Sequence, residues 1–173
     1  MRKSLRLLLG TLALVAFVSC QQSKEKVLDF EEQFNNRRDV CAVKLNAIRT
    51  LEVAFMEQHG RYTASFDTLL FSAKDILDMD SNCIKNLRYI PFPEESREEF
   101  ILQAGYIEQE GIKVPVFECK VPFEILLSDL DDQSVMNKVG DIKMKQMTRP
   151  EWDIYEGWKV GSMKTATIKG NFE

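Results

Sequence analysis

The stretch MEQHGRYTASFDTLL, residues Met56–Leu70, decides how this chain folds. In front of it, apolar residues recur at three- and four-residue steps, with no Gly or Pro from about residue 24 to residue 59. That pattern predicts a long amphipathic helix. Gly60 is a natural C-cap for this helix, and Ser65 is placed as the N-cap of a second one. The stretch therefore predicts a corner between two helices, with the ring of Tyr62 packed between them.

Two features of the predicted helices can be placed by residue number. The long helix is expected over about residues 27–59. The polar run Asn35–Arg38 interrupts its apolar stripe, which predicts a break or kink there, with the preceding part fraying or packing separately. The second helix carries Asp67 in its first turn, where a carboxylate is favourable. The apolar positions are Phe30, Phe34, Cys41, Leu45, Ile48, Leu51 and Phe55 in the long helix, and Phe66, Leu69, Leu70 and Ala73 in the second.

Short strands follow the helices. After a polar loop around residues 78–82, Leu87–Phe92 is predicted as a short strand stopped by prolines. Residues 100–107 and 112–119 predict a hairpin that turns at residues 109–111. Pro115 has no N–H to donate, so it is expected on an edge strand.

The C-terminal third predicts more helix and a last strand. Pro122 is placed to open a helical turn over residues 123–127, and Asp131 or Asp132 to cap a helix that runs to about Met147. Residues 158–163 are expected to form a last strand or a tail held by aromatic side chains. The fold class is therefore α+β: a long N-terminal helix, a short helix, a small antiparallel sheet and a helical insertion.

The N-terminus has the pattern of a secretion signal: basic residues, an apolar run of about 12 residues and a small residue before a cysteine. The end of this run, AFVSC, resembles the lipobox of bacterial lipoproteins, which implies cleavage before Cys20 and attachment of lipid, palmitate among it, to that cysteine. Residues 1–19 are then the signal peptide, 20–26 a polar spacer and 27–173 a single domain. The alternative is an ordinary signal peptide with an incidental cysteine.

A lipid anchor and the composition bound the location and the partners. Several acyl chains on one cysteine hold a protein to a membrane that it does not span. Gln21 stands where an aspartate would resemble an inner-membrane retention signal, which favours the outer membrane of the cell envelope. The full sequence has a net charge of −4. Cleavage of the predicted signal peptide removes basic residues and no acidic ones, so the remaining chain is more negative. Such a surface repels phosphate backbones, so nucleic acid is not an expected partner.

Three further cysteines, Cys41, Cys83 and Cys119, raise the question of a disulfide. In an oxidising compartment one bridge is plausible, from Cys41 to either of the others, with a third thiol left over. It would contribute about 3–4 kcal/mol in the loop-entropy model. The alternative is that the three are small buried hydrophobic residues.

Candidate catalytic residues are few. The single histidine, His59, ends the long helix and is expected to cap it rather than to react. The sequence contains no recognised catalytic or nucleotide-binding motif, and we expect no metal and no cofactor. Trp152, Tyr155 and Trp158 are candidates for a contact surface, because aromatic side chains on a loop can hold sugars or peptides. The alternative for these three is packing under the C-terminal segment.

Two resemblances bear on shape and location. AIRTLEVAFMEQHGRYTASFDTLL resembles the corner of type IV pilin and type II secretion pseudopilin heads, although the prepilin cleavage pattern is absent. Residues 44–173 are also similar to anchored envelope proteins of unassigned function in Gram-negative bacteria, which share the segments Val160–Ser162 and Gly170–Glu173. The residues that match the pilin corner are Ala47, Ile48, Phe55, Gly60, Tyr62 and Leu69.

These observations lead to one functional expectation and one alternative. The expectation is a non-enzymatic, membrane-anchored envelope lipoprotein that acts as a structural or adaptor component of an envelope assembly, with envelope proteins as partners. The alternative is a binding module or enzyme that acts on envelope glycans or peptides. A thiol enzyme, using one of the three further cysteines, is a third possibility.

Overall fold

The computed structural model describes the backbone of residues 2–73, 81–94 and 97–173, and the side chains of residues 29–73, 84–94, 97–131 and 133–173. Two compact units divide the chain, Met1–Asn35 and Asn36–Glu173. The side chains of the predicted signal peptide and spacer, Cys20 among them, lie outside the described side chains, and so does that of Cys83. Within the described residues, no helix is both long enough and apolar enough to cross a membrane.

Five helices and three strands are described, and they confirm the α+β class. All three strands belong to one antiparallel sheet of order β1-β2-β3. In chain order the elements are α1 Arg2–His59, α2 Phe66–Ala73, α3 Ser81–Asn86, β1 Ile101–Gln109, β2 Ile112–Pro122, α4 Phe123–Leu126, α5 Asp132–Thr148 and β3 Gly157–Gly161.

Helix α1 differs from the prediction at its start and in its middle. It begins at Arg2 instead of about residue 27, and it continues without a break through Asn35–Arg38, where a break or kink was expected. The boundary between the two compact units nevertheless falls at residue 35. The helix tolerates this polar run because Arg37 is buried and has partners: its guanidinium donates to the Leu126 carbonyl at 2.6 Å and to both carboxylate oxygens of Asp129 at 2.6 and 2.8 Å.

The predicted corner after α1 is confirmed. Gly60 adopts a φ of +68° and donates its N–H to the Met56 carbonyl at 2.8 Å, which ends the helix. The Ser65 hydroxyl accepts from the Thr68 N–H at 3.3 Å and caps α2. The ring of Tyr62 lies 4.8 Å from the ring of Phe117 on β2, centroid to centroid. The corner thus brings the end of α1 against the sheet.

The core of the second unit combines the predicted helix stripes with buried residues of the sheet. Cys41, Leu45, Ile48, Leu51 and Phe55 of α1 are all buried, and the four predicted apolar positions of α2 are buried as well. From the sheet and α4 the buried set adds Val116, Phe117, Cys119, Val121, Phe123, Leu126, Trp158 and Val160. In the first unit the rings of Phe30 and Phe34 are 5.9 Å apart.

The predicted hairpin is confirmed, and its turn consists of Glu110 and Gly111, both with positive φ. The position of Pro115 needs a correction, because β2 is the central strand rather than an edge strand. Over the described residues, however, β3 pairs with β2 only at residues 118–122. Pro115 pairs with Tyr106 on β1 and lies outside that stretch, so its missing N–H interrupts no bond to β3.

The remaining predictions were confirmed in part. Leu87–Phe92 is not a strand; it makes one bridge, Tyr89 with Glu99, because Pro91 and Pro93 offer no N–H to extend it. Helices α4 and α5 and strand β3 lie where they were expected, and the Asp131 side chain accepts from the Ser134 N–H at the start of α5. The predicted loop over residues 78–82 lies partly outside the described residues, and α3 already begins at Ser81.

Candidate functional site

The three aromatic side chains named as candidates for a contact surface do not share an exposed face. Trp158 is only 5% exposed and packs edge-on against Phe123, with ring centroids 5.1 Å apart. Its position on β3 turns the indole into the core, which is the packing alternative that the sequence left open for this residue. Trp152 is 54% exposed, and the Arg149 guanidinium lies 4.2 Å from its ring centroid. Tyr155 is half-buried, with the Lys120 ammonium 5.4 Å from its ring centroid.

Cys41 and Cys119 are buried free thiols. Burial raises the pKa of Cys41 to about 12, against the lowering effect of Lys44 and Arg37. Burial also raises the pKa of Cys119, with smaller contributions from Glu52 and Glu118. A thiolate is the reactive form of cysteine, so neither thiol is prepared for nucleophilic chemistry. His59 lies at the end of α1, as expected, with its ring 4.2 Å from that of Phe55.

A buried carboxyl group lies beside the corner. Glu52 on α1 is 0% exposed, and its Oε2 accepts the Thr63 N–H at 3.1 Å. Its Oε1 has no hydrogen-bond partner among the described residues. Burial raises the pKa of Glu52 to about 7, although the hydrogen bond from Thr63 opposes the shift. The negative charge of Glu52 also contributes, after burial, to the raised pKa of Tyr62. The carboxyl therefore changes its charge near neutral pH.

The main polar site is a group of buried charges where β2 meets β3. Lys159 is 5% exposed and Glu118 is 6% exposed, and the Lys159 ammonium donates to Glu118 Oε2 at 2.9 Å. The same ammonium donates to Asp153 Oδ2 at 2.5 Å. Two carboxylates therefore meet at one lysine nitrogen.

Further side chains surround the same three groups. The Ser162 hydroxyl donates to Asp153 Oδ2 at 2.8 Å, and the Lys164 ammonium lies 3.5 Å from Asp153 Oδ1. On the other side, the Lys120 ammonium is 2.5 Å from Glu118 Oε1. We call the six residues the Lys159 cluster: Glu118, Lys120, Asp153, Lys159, Ser162 and Lys164.

Sheet register assembles this cluster. Lys120 stands opposite Lys159, and Glu118 stands opposite Gly161, so alternate residues of two paired strands share one face. Gly161 adopts a φ of +73°, and a Cβ there would come within 2.2 Å of the Phe117 carbonyl oxygen. Glycine is therefore required where β3 ends and the chain turns to place Ser162 beside Asp153.

Electrostatics keep both carboxyl groups of the cluster ionised. Burial alone would raise the pKa of Glu118, but hydrogen bonds from Lys120 and Lys159 outweigh it and leave that pKa below its ordinary value. The same balance holds for Asp153, where burial is outweighed by hydrogen bonds from Lys159 and Ser162. The cluster thus holds three ammonium groups and two carboxylates at a largely buried position.

The two C-terminal segments noted in the sequence meet beside this cluster. Val160 bridges to Gly170, and the Gly161 N–H donates to the Lys169 carbonyl at 3.1 Å. The side chain of Asn171 accepts from the Lys159 N–H and donates to the Gly157 carbonyl, both at 2.9 Å. The segments Val160–Ser162 and Gly170–Glu173 therefore brace β3 together.

Sequence reasoning missed the Lys159 cluster because its members look like ordinary solvated charges in the sequence. Glu118 and Lys159 are 41 residues apart, so no local spacing connects them. One signal was present in the sequence. Apolar and polar residues alternate poorly along the predicted strands, and Glu118 and Lys159 both interrupt apolar runs that were assigned to strands. A charge inside such a run indicates a buried ion pair.

A groove of about 980 Å³ lies between α2, α3 and residues 88–94. Its rim carries Lys85, Arg88 and Arg97 together with Asp67 and Glu94. Arg88 is already paired with Asp67 and with Glu99. Mixed charge of this kind does not select a ligand of one sign. The apolar lining includes Leu70, Ile84 and Ile90.

In the described part of the chain, no group of three or more His, Cys, Asp or Glu side chains is placed to hold a metal ion. The observed architecture defines the chain as an α+β protein with a long N-terminal helix. Comparison with family models, with curated proteins and with solved structures gives no significant match for this sequence or fold.

Proposed function

We propose that this chain is a non-enzymatic lipoprotein of the cell envelope, anchored through lipid on Cys20 and acting as a structural or adaptor component of an envelope assembly. The observation that carries the proposal is the segment AFVSC after a short apolar run, followed by a polar spacer. The apolar run is too short to span a bilayer comfortably, since a spanning helix needs about 20 apolar residues. Anchoring by acyl chains on Cys20 fits this sequence better, and it leaves the second unit free to bind a partner.

Helix α5 supports a protein partner for this anchored chain. Met136, Met144 and Met147 are strongly exposed, Met147 to 83%. Together with Gly140 they follow steps of four, four and three residues, which places them on one face of the helix. Exposed methionines are common on binding surfaces because their flexible side chains adapt to the partner. Gly140 leaves open space between them, since a Cβ there would meet nothing within 4 Å.

The anchor is tested by the intact mass of the protein extracted from its native membrane. We expect a chain that begins at an acylated Cys20. A soluble chain with an unmodified Cys20 would refute the lipoprotein proposal. An uncleaved Met1 would instead favour a membrane-inserted, pilin-like subunit.

The adaptor role is tested by mild crosslinking in intact cells, followed by purification and identification of the attached proteins. We expect a reproducible envelope protein with the natural sequence and its loss with Met144→Lys. Ile112→Lys is the matched control, because Ile112 is equally exposed but lies at the hairpin tip. A monomer with no reproducible partner, or equal loss with both variants, would contradict the proposed role of α5.

A further inference from the structure

The Lys159 cluster brings an amine and a carboxyl group together under conditions that favour a covalent reaction. Lys159 Nζ lies 2.5 Å from Asp153 Oδ2, and the lysine is almost fully buried. Fixing two reacting groups at contact distance removes most of the entropic barrier to their combination. A third group, Glu118, holds the same nitrogen at 2.9 Å and is equally buried.

We propose that Lys159 and Asp153 condense into an intramolecular isopeptide bond, with Glu118 as the catalytic proton carrier. The structure assigns each neighbouring side chain a part in this reaction. Ser162 donates to Asp153 Oδ2, the oxygen that would leave, and Lys164 lies near Oδ1, the oxygen that would remain as the amide carbonyl.

The reaction balances without any added reagent. The Lys159 ammonium gives one proton to Asp153 Oδ2 along their hydrogen bond, and the neutral nitrogen attacks Cγ of the resulting carboxylic acid. Glu118 takes a second proton from the nitrogen as the bond forms. The Nζ–Cγ bond forms and the Cγ–Oδ2 bond breaks. Two of the three ammonium protons leave with Oδ2 as water, one of them carried by Glu118, and the third remains on the amide nitrogen. Glu118 returns to its starting state, and no oxidant or activated acyl group is required.

Two electrostatic effects bear on this step. Both carboxyl groups are ionised at rest, so the reactive neutral amine and acid form only by proton transfer along the existing hydrogen bonds, and the reaction is expected to be slow. The product is favoured because it replaces a buried ion pair, whose desolvation is costly, by a neutral amide. The nearby ammonium of Lys164 stabilises the negative charge that develops on Oδ1 during the attack.

Mass spectrometry of the full-length chain tests the proposal directly. Once cleavage and acylation at Cys20 are accounted for, the intact protein is expected to be lighter than its processed sequence by one water molecule. Trypsin cleaves neither the Arg149–Pro150 bond nor the chain after a modified lysine. The digest should therefore contain residues 146–164 as one peptide, QMTRPEWDIYEGWKVGSMK, lighter by one water and with fragments that join positions 153 and 159. An unmodified mass with normal cleavage after Lys159 overturns the proposal.

Variants separate this bond from other dehydrations. Glu118→Gln is expected to show no loss of water while remaining folded by circular dichroism, because the amide cannot carry the proton. Lys159→Arg should also show no loss of water, whereas Lys113→Arg, at the exposed hairpin tip, should still lose water. Loss of water in Lys159→Arg, or a bond mapped to Glu118 instead of Asp153, would overturn the assignment. The digest of the natural sequence decides the question even if a variant does not fold.

Discussion

The buried carboxyl of Glu52 makes the stability of the second unit depend on pH. Its pKa in the folded protein is about 7, against an ordinary value of 4.5 in the unfolded chain. Because the folded pKa is the higher one, the native state holds the proton more tightly than the unfolded state does. The resulting contribution to stability is complete below about pH 4.5 and is lost as the pH rises through 7.

The size of the effect follows from the same two values. One pKa unit corresponds to about 1.4 kcal/mol, so the shift of Glu52 amounts to about 3 kcal/mol between the protonated and the ionised form. Glu52→Gln has no ionisable group and removes this dependence. Relative to the natural chain, the variant should therefore gain most of this difference, about 2.5 kcal/mol, between about pH 5 and about pH 8. A constant offset from the altered hydrogen bonding is expected at every pH.

Urea denaturation followed by circular dichroism at several pH values measures this difference. Other carboxylates are shared by both chains and cancel in the comparison, and Tyr62 and Cys119 have raised pKa values that lie above this range. Glu57→Gln is the matched control, because Glu57 is exposed on the same helix and its substitution should leave the slope unchanged. If Glu52→Gln and the natural chain keep parallel stability curves over this pH range, the argument from burial is refuted.

Two further predictions concern backbone space and thiol reactivity. Gly161→Ala should cost more than about 2 kcal/mol of stability, because the new Cβ meets a carbonyl oxygen and φ is positive, while Gly140→Ala on α5 should gain about 0.5–1 kcal/mol in the same urea assay. If the two substitutions changed stability equally, the requirement for glycine at the end of β3 would be contradicted. Cys41 and Cys119 should resist a maleimide at about pH 8 in the folded chain and react in urea, as mapped by peptide mass. Rapid modification of either one in the folded state would reopen the thiol-enzyme alternative.

Local signals in the sequence were sufficient for the helical corner and the hairpin. Gly60 and Ser65 act through contacts within a few residues, and the turn at Glu110 and Gly111 joins strands that are adjacent in sequence. Such features depend on backbone conformation and short-range hydrogen bonds, which residue type largely determines.

Features that depend on distant partners could not be predicted. The polar run at residues 35–38 indicated a break in α1, yet Arg37 finds Asp129 92 residues further along the chain and the helix continues. Trp158 looked like a candidate for a contact surface because only the pairing of β3 with β2 shows that its side chain faces the core. In each case the missing information was a contact across the fold, not a local preference.

The C-terminal segment connects these observations. Lys159 is held through its backbone N–H by Asn171 and through its ammonium by Glu118 and Asp153, so one residue is fixed from three directions. Asn171 also binds the Gly157 carbonyl at the other end of β3. Strand β3 is the shortest strand of the sheet and makes few ladder hydrogen bonds of its own. The contacts from Asn171, Glu118 and Asp153 hold it in place of the bonds that a longer strand would make. Asn171→Ala should therefore weaken β3 more than it weakens the hairpin. Hydrogen exchange checks this: faster exchange at residues 157–161 with unchanged protection at residues 101–109 is expected, and uniform loss of protection would refute it.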